Sequence, residues 1–256
     1  MAAVAHGRAK ELLEVGGRPL LAHAFSDLSA SGLGQALIVT SPLKPELAAT
    51  FGPRFGSLEL SYVEQPEPRG LLDAIELAVR SVADLPILVW LPDNHWRGTR
   101  PAAAQLLAAL ESIPSALMRD RLVTLVALVE IDRSQVGRFG GAGFVETAEV
   151  RGHPDLVEIE RVYAKGERSP QHGARLLKGF PFHLHSSAAR LLAEITAQRT
   201  AHESGPGPAR ELDDTPLLQL LAREHRLFGV ILRDGALYDC GIPAGFAAAS
   251  AAAQSA

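Results

Sequence analysis

The chain of 256 residues holds a single cysteine. That excludes a disulfide framework and any cysteine-based zinc site, and it suits a reducing cytosol. There is no excess of positive charge: 25 lysines and arginines stand against 29 aspartates and glutamates, a formal net charge of −4. With a sequence pI near 6.1, no basic field marks the chain for nucleic acid. No apolar run approaches the roughly 20 residues that a membrane-spanning helix needs. The first residues show no charged region followed by an apolar core, so no signal peptide is expected, and no internal repeat is found. What remains is the expectation of a cytoplasmic globular protein, long enough to bury a full core as one large α/β domain or two small ones.

What is present is most informative at Leu91-Pro92-Asp93-Asn94. The apolar run 86–91 has strand length and stops at Pro-Asp, so it reads as a buried strand delivering a carboxylate to its C-terminal edge. In open α/β sheets that edge is where ligands bind. Upstream lies Gln65-Pro66-Glu67-Pro68-Arg69-Gly70-Leu71, and near the C-terminus Tyr238-Asp239-Cys240-Gly241. Together the three stretches point to a phosphate-handling, metal-assisted site.

In the first half strands alternate with helices. A helix is predicted from Pro19-Leu20 to Ser31-Gly32, with proline at its first turn and glycine at its stop. Strands follow at 36–40 and 58–63, with a helix capped by Ser41-Pro42 between them. Then come a helix over 70–82, the strand 86–91, a helix over 101–110 and a strand over 122–129. This βαβα order argues for a parallel sheet covered on both faces. In the second half, segments 140–146, 157–165 and 176–184 read as antiparallel strands, and 187–197 as helix. Residues 201–208 read as a linker, 212–224 as helix, and 228–232 and 236–239 as strands. The alanine-rich tail 247–256 is a closing helix or a frayed end.

In order and spacing these segments resemble bacterial sugar-1-phosphate nucleotidyltransferases, most closely the UTP–glucose-1-phosphate uridylyltransferases. Lys10-Glu11-Leu12-Leu13 with Pro19-Leu20 resembles the family's Pro-Lys-Glu-Met-Leu-Pro segment. The 65–71 stretch resembles its nucleobase loop, Leu91-Pro92-Asp93-Asn94 its Leu-Pro-Asp-Asp strand end, and the 238–246 stretch its terminal Tyr-Asp-Cys-Gly motif. Glu211-Leu212-Asp213-Asp214-Thr215 resembles a helix start of the family. The likeness runs from Lys10 to Phe246.

The resemblance implies a mixed, mostly parallel Rossmann-like α/β sheet with helices on both faces, the nucleotide-diphospho-sugar transferase fold. It implies one domain over 1–256, with 140–185 as an antiparallel sugar-binding subregion. The implied reaction joins UTP and glucose 1-phosphate into a nucleotide sugar and pyrophosphate. Asp93 and Asp239 are then the ligands of Mg²⁺, a hard cation that takes few protein carboxylates and keeps its waters. Lys10 and Lys165 become the catalytic phosphate-contacting lysines. Gln65 and Gly70 read the base, and Gly143 meets the sugar. The implied partners are a nucleoside triphosphate and a sugar 1-phosphate, with no nucleic acid or membrane and with homo-oligomer assembly left open.

Plainer readings stand beside these. Asp93 also suits a turn cap, Lys165 a solvated turn, and Tyr238-Asp239 a hairpin corner. His183 and His185 share one strand face and are expected not to ligate metal. His95-Trp96 lines the pocket or starts a loop, and Cys240 reads as an inert apolar residue. There are also departures from the family. Its first buried strand and Gly-x-Gly-Thr-Arg phosphate loop have no counterpart in residues 1–10. Ala164 stands where it carries a sugar-contacting glutamate, Asn94 where it carries a second aspartate, and Ala9 where it carries a proline. The sheet is therefore expected to lack a central strand between 36–40 and 86–91, and turnover by the chain as written is expected to be low. Three readings follow: a reading frame that begins further upstream, a degenerate homologue that binds sugar nucleotide without turnover, or a partner subunit for a complete homologue.

Overall fold

The computed structural model describes residues 9–67, 69–82, 85–113, 123–140, 143–164, 167, 176–185, 191–192, 194–195 and 213–255. After a 3-10 turn at Lys10–Leu12 come β1 (Glu14–Val15), β2 (Arg18–Pro19), α1 (Leu20–Ala30) and β3 (Gln35–Thr40). The chain continues through α2 (Glu46–Phe51), β4 (Arg54–Phe55), β5 (Leu58–Glu64), α3 (Leu71–Ser81) and β6 (Ile87–Val89). Next are β7 (Asn94–Gly98), α4 (Ala102–Ser112), β8 (Thr124–Glu130), β9 (Val145–Glu149), β10 (Leu156–Val162) and β11 (Leu176–Leu184). The last elements are α5 (Thr215–Arg223), β12 (Leu227–Ile231), β13 (Gly235–Asp239) and α6 (Pro243–Gln254).

Six strands form one mixed sheet in the order β6-β11-β8-β12-β10-β9, in which β8 and β12 run parallel and the other neighbours antiparallel. β8 shows why this sheet is covered on both faces. Successive side chains of a strand point to opposite sides; accordingly Val126 and Leu128 pack with α3 and α5, while Leu125, Ala127 and Val129 pack with α4. All five are buried, so the strand reads as a continuous apolar run. α3 buries Leu72, Ile75 and Val79 at helical spacing. Asp27 of α1 accepts the N–H groups of Ala102 and Ala103 at 2.8 and 3.0 Å, capping α4 from a neighbouring helix.

A second, three-stranded sheet has the order β3-β5-β4, with β3 and β5 parallel. It packs on α1 and α2 through Phe25, Ile38, Leu47 and Leu58. The outer edge of β3 and the outer edge of β6 pair with no strand among the described residues. Between them opens a cleft of about 1110 Å³, lined by 36–40 on one side and 85–91 on the other. The expectation of a missing central strand turned on residues 1–5, which lie outside the described residues.

The α/β architecture with a mixed sheet is as expected, but the expected mostly parallel pairing is not: among the described residues only β3–β5 and β8–β12 pair parallel, because β9 and β10 return directly as a hairpin and β11 enters antiparallel between β6 and β8. Several further details differ. Ser41-Pro42 does not cap a helix: the Ser41 hydroxyl accepts the Leu43 N–H at 3.1 Å in a turn, and α2 begins only at Glu46. His95-Trp96 does not start a loop but lies inside β7, a strand the apolar pattern did not reveal because it carries Asn94, His95 and Arg97. The tail forms α6. The predicted linker 201–208 and most of the predicted helix 187–197 lie outside the described residues.

Candidate active site

Asp93 sits in the turn from β6 to β7, where the Asn94 N–H donates to Leu91 O at 2.9 Å. β7 pairs antiparallel with β13, with Asn94 opposite Asp239 and His95 opposite Tyr238. One step beyond that ladder, the Cys240 N–H donates to the backbone oxygen of Asp93 at 2.7 Å. Pairing between distant segments therefore carries Asp239 to the edge where β6 ends.

The carboxylates meet around Gly241. A Cβ at Gly241 would lie 2.7 Å from Oδ1 of Asp239 and 3.2 Å from Oδ2 of Asp93, so those oxygens are less than about 6 Å apart, within reach of one hydrated divalent cation. No side chain fits there. Asp239 is held by two backbone donors, Gly140 N–H to Oδ2 at 2.7 Å and Gly241 N–H to Oδ1 at 2.9 Å. Burial still pushes its carboxyl above the usual range, against those donors and with the Asp93 charge adding to the rise. The Lys10 ammonium contacts Oδ2 of Asp93 at 2.6 Å. Burial pulls the Lys10 pKa down, but Asp93, Glu11 and Asp239 more than offset this and leave it raised. The cluster is two hard oxygen donors beside a fixed cation, a set that suits Mg²⁺ retaining most of its water. No group of three or more His, Cys, Asp or Glu that would form a closed metal cage occurs among the described residues.

Beneath the carboxylates, His95 is buried against His23, with ring centroids 4.5 Å apart. Burial, the His23 charge and Arg97 lower its pKa to about 4, so it is a neutral packing element at pH 7. Cys240 is fully buried; burial and the two aspartates push its thiol up to about 12, which leaves it unreactive.

Gln65 leaves β5 at the same sheet edge, its N–H donating to Thr40 O at 2.8 Å. Its side-chain amide donates to Gly70 O at 3.2 Å and to Asp73 at 2.7 Å. Among the described residues no group donates to the Gln65 amide oxygen. Gly70 has φ of 102°, a conformation open to glycine and costly for other residues. Lys10, Gln65 and Pro92 all line the same mouth of the cleft.

One candidate, Gly143, falls elsewhere among the described residues. Gly143 lies against the end of β10, its oxygen accepting the Lys178 N–H at 3.0 Å and a Cβ on it meeting Tyr163 O at 2.7 Å. Besides Gly241, the glycine that reaches Asp239 is Gly140, which the sequence reading did not assign to the site although it opens the doublet Gly140-Gly141. Lys165 lies outside the described residues. His183 is buried in β11 and faces no metal cluster.

Residues 2–150, more than half of the sequence, match the nucleotidyl transferase family. The chain belongs to that family. Among curated proteins it is similar to the UTP–glucose-1-phosphate uridylyltransferase AglF of Haloferax volcanii, with 24% identity over 238 residues, 91% of this chain and 83% of that protein. It is also similar to a glucose-1-phosphate thymidylyltransferase of Streptomyces antibioticus, 28% identical over 125 residues, 44% of this chain and 35% of the relative. Among solved structures, a UDP-glucose pyrophosphorylase complexed with UDP-glucose superposes with a TM-score of 0.75 at 22% identity, covering 96% of this chain and 90% of that one. That likeness establishes the nucleotide-diphospho-sugar transferase fold. No helix among the described residues is long and apolar enough to cross a membrane.

Proposed function

We propose that this family member transfers the nucleotidyl group of UTP to glucose 1-phosphate, releasing pyrophosphate and forming UDP-glucose. The observation that carries this reading is the convergence of Asp93, Asp239 and Lys10 at the C-terminal end of β6. The choice of UTP and glucose is supported by the likeness to the uridylyltransferase over 91% of the chain.

In this reading an oxygen of the sugar phosphate attacks the α-phosphorus of UTP, and pyrophosphate leaves. Both substrates are anionic, so catalysis rests on positioning and charge neutralisation. Asp93 and Asp239 would hold Mg²⁺, which would supply Lewis-acid charge stabilisation when bound. Lys10 contributes a fixed positive charge at the phosphates, and Lys165 is the second phosphate-contacting lysine of this reading. Gln65 and the Gly70 backbone read the base, and Gly143 belongs to the sugar-binding region. Consumption of a nucleoside triphosphate and a single buried thiol fit a cytoplasmic enzyme.

Pyrophosphate release with UTP or dTTP, with several sugar 1-phosphates and Mg²⁺, tests this. Release that is fastest with UTP and glucose 1-phosphate, and lost in Asp93→Asn and Asp239→Asn, supports the reading. Binding of UDP-glucose without turnover would instead assign a non-catalytic homologue. Neither binding nor release would sink both readings.

A further inference from the structure

Gln65 and Asp73 stand eight residues apart in different elements, Gln65 just past the end of β5 and Asp73 in the first turn of α3. The Gln65 backbone is pinned by one more step of the β3–β5 ladder, its N–H donating to Thr40 O at 2.8 Å. Its side-chain amide donates to Gly70 O at 3.2 Å and to Oδ2 of Asp73 at 2.7 Å. An acidic residue in the first turn of a helix commonly serves the backbone donors of that turn. Here Asp73 takes the amide of a residue outside its helix, and the helix opens on Gly70 without a side-chain cap.

These partners settle which end of the amide is which. A backbone carbonyl and a carboxylate accept hydrogen bonds and donate none. Turning the amide over would set its oxygen against two acceptor oxygens, so the NH₂ group faces Gly70 and Asp73 and the amide oxygen faces away from them. A free glutamine offers a ligand both a donor and an acceptor. With its NH₂ group committed, Gln65 offers an acceptor alone, and no group among the described residues donates to it.

We propose that Asp73 is a positioning residue for base selection: it holds the Gln65 amide so that only its oxygen meets the base, which favours a pyrimidine whose ring N3 carries a proton. The proposal rests on the reading of Gln65 as a base contact. In that pose the N3–H of uracil or thymine donates to Gln65 Oε1. Cytosine brings an unprotonated N3 to the same place, where two acceptors face one another. The amide cannot turn to answer it without giving up Gly70 and Asp73. Sites built to bond a substrate N–H reject an analogue that lacks it, because their own polar group is then left unpaired. Thymine differs from uracil only at C5, so Asp73 does not separate those two.

The test is calorimetric titration of the 256-residue chain with UTP, 5-methyl-UTP and CTP, in Mg²⁺ and without sugar phosphate so that nothing turns over. The three share ribose and triphosphate, so ratios of affinity report the base alone. UTP and 5-methyl-UTP should bind at least about tenfold more tightly than CTP. Asp73→Leu should bring UTP and CTP to within about threefold of each other, while UTP and 5-methyl-UTP keep their ratio. Asp73→Asn should retain the wild-type ratios, because the asparagine oxygen accepts the same bond. Asp73→Ala, which places the best helix former in α3, repeats the test if the leucine variant does not fold. A role confined to steadying α3 would move neither ratio. Wild-type ratios in the leucine and alanine variants, a loss in Asp73→Asn equal to theirs, or a wild-type chain that binds CTP as tightly as UTP would each overturn the proposal. A wild-type chain that binds none of the three would remove the base-contact reading of Gln65 and the proposal with it, whereas tight, selective binding that the variants leave unmoved sinks the proposal alone.

Discussion

Asn94 and Asp239 stand opposite one another as the last pair of the β7–β13 ladder, and the next hydrogen bond joins Cys240 N–H to Asp93 O at 2.7 Å. The two acidic residues of the site are thus placed by main-chain pairing, not by their own charges, which repel. This arrangement separates the stability of the site's scaffold from the chemistry of its carboxylates.

Asp239→Asn and Asp93→Asn should therefore leave the fold intact while removing cation-dependent function. Pyrophosphate release is expected to fall by roughly 10²-fold or more, in line with the loss of a charge-stabilising group at a reacting phosphate. Asp239→Asn should cost about 1–3 kcal/mol in thermal unfolding yet still fold, because Gly140 N–H and Gly241 N–H donate to different carboxylate oxygens and an amide can accept only one of them. Equal loss of structure and activity in both variants would contradict the separation.

The parts legible in the sequence were those with a local signature. The apolar run into Pro92-Asp93 and the glycine at the start of α3 were read directly, and β8 announced itself as an uninterrupted apolar run. β7 was missed because its alternation is broken by polar residues that a neighbouring strand and α1 cover: His95 packs on His23 and Trp96 donates to Arg100 O at 2.8 Å. Gly140 was missed because its role is a backbone N–H aimed at a residue far away in the chain, which no spacing rule records. The absence of a first strand was expected from the family resemblance, but residues 1–8, on which that expectation turned, lie outside the described residues.

Gly241→Ala tests the crowding at the carboxylates. The added methyl would stand 2.7 Å from Asp239 Oδ1 and 3.2 Å from Asp93 Oδ2, closer than carbon and oxygen tolerate, so the side chains must move apart. The Mg²⁺ concentration for half-maximal pyrophosphate release should rise about tenfold or more, the scale seen when groups that orient metal ligands are disturbed. Circular dichroism should be unchanged. An unaltered Mg²⁺ dependence would place the cation elsewhere.

Lys178 of β11 and Asp214 at the start of α5 form an ion pair at 2.6 Å, with only 9% and 4% of their side chains exposed. Asp214 turns toward Lys178 and leaves its own helix uncapped by a side chain. Removing one partner strands a buried charge, so Lys178→Met or Asp214→Asn alone should cost about 3–5 kcal/mol in urea unfolding. The double variant Lys178→Met/Asp214→Leu should recover most of that loss. Additive losses in the double variant would mean that the pair is not the source.

His183 supplies a pH dependence away from the carboxylate site. It is buried in β11, and burial, followed by the charge of His185, lowers its pKa to about 4, with a Val123 backbone contact opposing weakly. Its folded pKa lies below the unfolded value near 6.5. The neutral ring is therefore favoured in the fold, and the unfolded chain binds the extra proton first. The contribution is fully present above pH 6.5 and is lost as pH falls from there through 4. Between pH 7 and 4.5 this one group should remove about 2–3 kcal/mol. His183→Leu removes both the titration and the unpartnered Nδ1. Urea unfolding at the two pH values should then show a smaller acid loss in the variant by about that amount, because the carboxylates common to both proteins cancel in the comparison. Identical pH slopes in the two proteins would show that the ring is protonated in the fold at no cost, and that the burial of β11 does not exclude its charge.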